Sequence, residues 1–191
     1  MELAVQVARN RHGVAVYPCV ETIQDGHICT AVRSPAPIEE KLQKKAQELA
    51  IKATEAIDGI GLYAYEFFLT KEGHILLNES APRPHNSGHY TIEGCITSQF
   101  ENHVRAVSNL PLGATDLRSP AVVMINLLGT HNRNAVVENA HDVMNAEDGH
   151  LHIYGKKSSK EGRKMGHATF LGDDVDELHQ KGLRLTDSIR I

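Results

Sequence analysis

The sequence is poor in the features that mark several protein classes. Its three cysteines, Cys19, Cys29 and Cys95, lie far apart and form no Cys-x-x-Cys pair. They read as reduced thiols, which argues against a disulfide framework or a zinc knuckle. No run of about 18 apolar residues occurs, and no signal-peptide pattern opens the chain, so a soluble, cytoplasmic protein with no membrane partner is expected. Lys and Arg cluster only within 156–164, against a formal net charge of -4, so binding to a nucleic-acid polymer is not expected. Gly59-Ile60-Gly61 lacks the third glycine of a dinucleotide loop, and no Gly-Lys-Ser/Thr phosphate loop is present. The twelve histidines include no His-Glu-x-x-His, and His150 and His152 stand two apart in a strand-like run. A zinc site is not expected from them.

What is present is enough for a substantial core: 191 residues with 41% apolar content. Residues 2–9, 14–18 and 27–33 have strand character and predict an antiparallel meander. Glu2-Leu3-Ala4-Val5 reads as strand with no lead-in, which points to part of a longer or split protein. Apolar residues at 38, 42, 46, 49, 50, 53 and 57 predict one amphipathic helix, with Pro37 before it and Asp58-Gly59 after it. Strands are predicted over Gly61–Thr70 and His74–Asn78 around a Lys71-Glu72-Gly73 turn. Ser98 with Glu101 predicts a capped helix to about Asn109. A composition change at 114–120 sets the expected boundary between domains 1–115 and 116–191. The second holds strands at 121–128, 151–155 and 165–171, a helix near 135–146 and a polar helix from Asp174. The expected class is α+β.

The densest chemistry lies in Asn78-Glu-Ser-Ala-Pro-Arg-Pro-His-Asn-Ser-Gly-His89. One carboxylate, one guanidinium, two imidazoles and two amides share a segment stiffened by Pro82 and Pro84, with Gly88 free to bend. Glu66 and Glu79 sit in otherwise apolar strands, where an acid needs a partner. A two- or four-residue hairpin loop would put them on one face, and a three-residue loop on opposite faces. We expect one face, where two carboxylates can clamp magnesium against nucleotide phosphates; the competing assignment pairs one acid with Arg83. Arg83 offers a fork for bicarbonate, carboxylate or phosphate, and His85 can bond or move a proton; the structural alternative is a salt bridge and a satisfied polar pocket. Lys156, Lys157, Lys160, Arg163 and Lys164 form the basic cluster, either a phosphate grip or a solvated turn.

Taken together, these segments resemble one family. Tyr65-Glu66-Phe67-Phe68, the 78–91 block, Thr97-Ser98-Gln99-Phe100-Glu101, Met124–Gly129, Tyr154-Gly155-Lys156 and Gly162–His167 are similar to the 5-(carboxyamino)imidazole ribonucleotide synthetases of the ATP-grasp superfamily. Ser80 and Glu161 depart from the common pattern, and neither removes a functional group. The resemblance implies the carboxy-terminal half of an ATP-grasp domain, an antiparallel sheet with helices, followed by a small mostly-β domain. It implies carboxylation of aminoimidazole ribonucleotide with ATP and bicarbonate through carboxyphosphate, as a step of purine synthesis. By the same resemblance Glu66 and Glu79 are magnesium ligands, and Asn78 and Glu79 lie at the nucleotide. Arg83 and His85 are catalytic, while Asn86, Ser87, Lys156 and Arg163 bind the ribonucleotide.

The family's amino-terminal half, with most of the adenine site, has no counterpart in this sequence. The isolated chain is therefore expected to be inactive and to need that half as a partner; a homodimer is the further expectation. Another ATP-grasp carboxylase or ligase is the competing enzyme reading, and the Pro-His-Asn-Ser-Gly-His run argues against it. A non-catalytic, partner-binding remnant is the competing reading of another class.

Overall fold

Alternation along β1 (Glu2–Asn10) decides the layering around it. Leu3, Val5 and Val7 point to one face and Ala4, Gln6 and Ala8 to the other, and all six are buried. A strand covered on both sides needs a layer on each. In this computed structural model, which describes all residues from Met1 to Ile191, α1 (Glu40–Ile57) supplies one of them. Its Ala46 and Ala50 join Leu3, Val5, Val7 and the ring stripe Tyr63, Tyr65 and Phe67 of β5 (Gly61–Leu69) in one core. Around β1 lie β2 (Gly13–Val16) and the start of β3 (Val20–Asp25) at one edge, and β5 at the other, all antiparallel. β6 (Ile75–Ala81) pairs with β5 and ends that side of the sheet. The opposite layer is the 86–88 turn, α2 (Thr91–Gly94) and α3 (Gln99–Val107), with α3 packed on β1 and β5.

By packing, the chain forms two units: Met1–Thr22 with Ser34–Arg118, and Ile23–Arg33 with Ser119–Ile191. The second is built on β7 (Ala121–Leu128), flanked by β4 (Ile28–Ser34) and β9 (Lys164–Gly172), with β8 (Gly149–Ile153) beyond β9. α5 (Val175–Thr186) covers β7 and β9, and its Asp174 side chain accepts from the Asp176 and Glu177 amides as an N-cap. Ala31, Val123, Ile125, Phe170 and Leu178 share this core. No helix is long and apolar enough to cross a membrane.

The architecture is the expected α+β. Three elements differ from expectation. β3 was not foreseen: its short Val20-Glu-Thr-Ile23 alternation runs directly into the Gly26-His27 turn, where both residues have positive φ, and the two read as one break. The helix near 135–146 shrinks to α4 (His141–Asn145). The preceding backbone instead bonds other segments, Ala135 N to Lys157 O and Glu138 N to Arg190 O. α1 begins at Glu40, two residues after Ile38, and Gln43 Nε2 donates back to the Ala36 and Ile38 carbonyls.

Candidate active site

Hairpin parity is what assembles the first cluster. Thr70 N donates to His74 O at 2.9 Å, leaving Lys71-Glu72-Gly73 as a three-residue loop with Gly73 at φ 82°. Pairing then runs Leu69 with Ile75, Phe68 with Leu76 and Phe67 with Leu77. Continued unbroken, this ladder would set Glu66 against Asn78 and turn Glu79 to the other face. The register instead shifts after Phe67, Asn78 is left unopposed, and Glu66 pairs directly with Glu79. The three-residue loop is therefore present, and a one-residue bulge cancels its effect on the carboxylates.

Above this pair sits His85. Its Nδ1 lies 3.4 Å from Glu66 Oε1 and its Nε2 3.8 Å from Glu79 Oε1, with the three ligand atoms within 4.8 Å of one another. Glu66 and His85 are largely shielded while the Glu79 side chain is 57% exposed, so the cluster opens to solvent on the Glu79 side. Two carboxylate oxygens suit a hard divalent cation, and an open side leaves room for phosphate and water ligands. Arg83 is exposed, makes no ion pair with either acid, and donates only to the Pro84 carbonyl at 3.2 Å. The salt-bridge alternative is thereby removed, leaving a guanidinium available to an anion. Asn78 is the exposed bulge residue, and Asn86 and the buried Ser87 begin the turn beside His85.

The second unit holds the cations. Lys156 Nζ bonds the Lys164 carbonyl and lies 5.5 Å from the centroid of the Tyr154 ring. Arg163 Nη1 donates to Ser158 O at 3.0 Å and Ser158 Oγ at 3.3 Å. Burial, and then the charges of Arg163 and Lys164, hold the Lys156 ammonium below the usual lysine range. The Arg163 and Lys164 charges thus lie near enough to act on the Lys156 ammonium. Lys157 and Lys160 are exposed on the turn between them.

Residues 1–100 match the ATP-grasp domain family, and residues 122–181 match the phosphoribosylaminoimidazole carboxylase C-terminal domain. The chain belongs to the ATP-grasp family. Within it, the chain corresponds to the carboxy-terminal portion of the N5-carboxyaminoimidazole ribonucleotide synthetases. It is 46% identical to the Bacillus subtilis synthase over 182 residues, covering 95% of this chain and 47% of that protein. The Thermotoga maritima synthetase structure superposes with a TM-score of 0.90 at 48% identity, covering 99% of this chain and 51% of that one. The Aspergillus clavatus synthase, solved with ADP and aminoimidazole ribonucleotide, gives 0.87 at 39% identity, with coverage of 98% and 51%. The chain thus spans about half the length of these relatives.

Two residues bonded to the His85 turn, Gln6 and Gln99, are not among the site residues that the sequence predicts. Gln6 Nε2 donates to Ser87 Oγ at 3.2 Å, and Ser87 Oγ lies 2.9 Å from His85 Nδ1. Gln99, fully buried, brackets the His85 backbone. The available signal for Gln6 was a lone amide in the apolar run Ala4-Val5-Gln6-Val7. Gly88 also has a different reason from the one expected. A Cβ there would stand 2.5 Å from Gln99 Oε1 and 3.0 Å from Gln6 Cγ, so the position is kept small by close approach, not by bending.

Proposed function

We propose that this chain carries the magnesium and ribonucleotide-phosphate sites of an ATP-dependent carbon–nitrogen ligase of purine biosynthesis. The reaction carboxylates aminoimidazole ribonucleotide to 5-(carboxyamino)imidazole ribonucleotide. The observation that carries the reading is the Glu66–Glu79–His85 cluster, created by a bulge and flanked by the unpaired Arg83.

Bicarbonate oxygen attacks the γ-phosphorus of ATP, the bond to ADP breaks, and carboxyphosphate forms. The carboxyl group then passes as carbon dioxide to the exocyclic amine, with inorganic phosphate and the amine proton released. Glu66 and Glu79 would hold magnesium, which when bound would supply charge neutralisation on the phosphates. Arg83 holds bicarbonate through its planar fork, and His85 bonds the reacting oxygens and receives the amine proton. Asn78 orients the nucleotide beside Glu79, while Asn86 and Ser87 contact the ribonucleotide. Lys156 and Arg163 grip its 5′-phosphate. Stabilising charge on the migrating group is the main catalytic contribution of these residues. Adenine is held by the part of the synthetases that this chain does not span; turnover therefore requires that part. The protein works in the cytoplasm, as a homodimer.

Calorimetric titration with aminoimidazole ribonucleotide tests the reading. Binding should weaken about tenfold or more in Lys156→Ala and in Arg163→Ala, as expected for lost charge-assisted bonds. No binding by the chain, either alone or mixed with the remaining half of a relative synthetase, would overturn it.

A further inference from the structure

The Gln99 amide makes three hydrogen bonds, and its orientation is fixed by the first two. Oε1 accepts from His85 N at 3.0 Å, and Nε2 donates to His85 O at 2.8 Å. A backbone N–H only donates and a carbonyl only accepts, so the oxygen and nitrogen ends of the amide cannot be exchanged. The same Nε2 lies 2.9 Å from His89 Nδ1. A primary amide nitrogen has only hydrogens to offer, so His89 Nδ1 must be the acceptor. The His89 proton therefore sits on Nε2.

The clamp is itself held. Gln99 is the first residue of α3 and has no solvent exposure. Its backbone N–H donates to Thr91 Oγ1 at 2.9 Å, and that hydroxyl donates to Gly88 O at 2.6 Å. The His85–His89 turn is thus tied to one helix start at His85 N, His85 O, Gly88 O and His89 Nδ1. The His89 ring also packs on Phe100, with centroids 5.4 Å apart.

We propose that Gln99 is a positioning residue of this site. It sets the His85 backbone so that the ring stands over Glu66 and Glu79, and it locks His89 as an Nε2–H donor. The role given to His85 rests on the proposed function; the orientation of the amide does not. Replacing a side chain that orients a metal site commonly weakens the site about tenfold or more.

Long-range proton–nitrogen correlation of the imidazoles in the ¹⁵N-labelled chain at neutral pH tests this directly. Wild-type His89 should show the pattern of a single tautomer protonated on Nε2. In Gln99→Glu, whose carboxylate only accepts, the His89 proton should move to Nδ1. In Gln99→Met, which keeps the volume and loses all three bonds, His85 ring signals should shift and Mn²⁺ affinity should fall about tenfold. Amide signals of α1 report whether each variant is folded. A wild-type His89 protonated on Nδ1 overturns the proposal, whether or not either variant folds. So does a folded Gln99→Met with unmoved His85 signals and unchanged Mn²⁺ affinity. Failure of Mn²⁺ to broaden His85 in the wild type, with His89 still protonated on Nε2, would instead sink the proposed function and leave the clamp standing.

Discussion

Asn78 is the one residue of β6 with no partner on β5, and Glu79 faces Glu66 because of it. The consequence is specific to position. Exchanging the two side chains, Asn78→Glu with Glu79→Asn, should weaken Mn²⁺ binding at least about tenfold, since one of two anionic ligands leaves the site. Deleting Asn78 should do the opposite of what its neighbourhood suggests. The ladder becomes regular, Glu79 still opposes Glu66, and binding should be retained. Electron paramagnetic titration with Mn²⁺ distinguishes the two; equal loss in both would show that facing carboxylates are not the determinant.

Gly88→Ala should destabilise the fold by about 1–3 kcal/mol, the usual cost of forcing a methyl group into a packed site. The new Cβ would meet Gln99 Oε1 at 2.5 Å. Because the two residues share one space, the cost should shrink when Gln99 is first cut back to Ser. Urea unfolding of the four proteins in this cycle measures it, and strict additivity would contradict the contact.

Alkali should unfold the protein through its buried thiols. Burial pushes both Cys19 and Cys95 up from 9.0 to about 12, so both stay protonated in the native state. Unfolded thiols ionise above their ordinary value, so the stabilisation is complete below pH 9 and is lost as pH rises towards 12. Each thiol should contribute a slope of about 1.4 kcal/mol per pH unit in that window. Buried Tyr17 and Tyr90, also raised by burial, add to the loss at higher pH. Comparing wild type with Cys19→Ala from about pH 8 to 10.5 checks it; parallel curves would show that Cys19 takes no part.

Lys156 should be the first amine of its turn to react. Its lowered ammonium pKa raises the neutral, nucleophilic fraction, with burial the larger cause and Arg163 and Lys164 next. Limiting acetylation read by mass spectrometry should modify it ahead of the exposed Lys157 and Lys160. Inorganic phosphate should slow the reaction by favouring the charged form, and Arg163→Ala should slow it by removing a repelling charge. No preference for Lys156 would show that burial and its neighbours together do not lower its ammonium pKa.

Local signals recovered most of the fold. The Ser98 cap accepts from the Glu101 amide as the Ser-x-x-Glu spacing predicts, and β7 runs over 121–128 as its apolar run predicts. The parts that were not legible depend on contacts distant in sequence. The 135–140 segment reads as helix but is held by bonds to Lys157 and Arg190. The carboxylate pair was legible as residue types, yet its geometry depended on a bulge that no turn signal announces. Gln6 and Gln99 are separated by most of the first unit, and nothing in either neighbourhood reveals that both converge on the 85–89 turn. Arg83 was visible as a cation near two acids; only coordinates show that it pairs with neither.

The chain passes between its two units at 22/23, at 33/34 and again at 118/119. Ile23 and Ala31, early in this chain, pack into the same core as Ile125 and Phe170, late in it. A single recombination near codon 118 would therefore deliver a second unit without part of its own interior. Exchanging that unit between relatives requires three coordinated crossovers, so the two units of this chain are expected to share one line of descent.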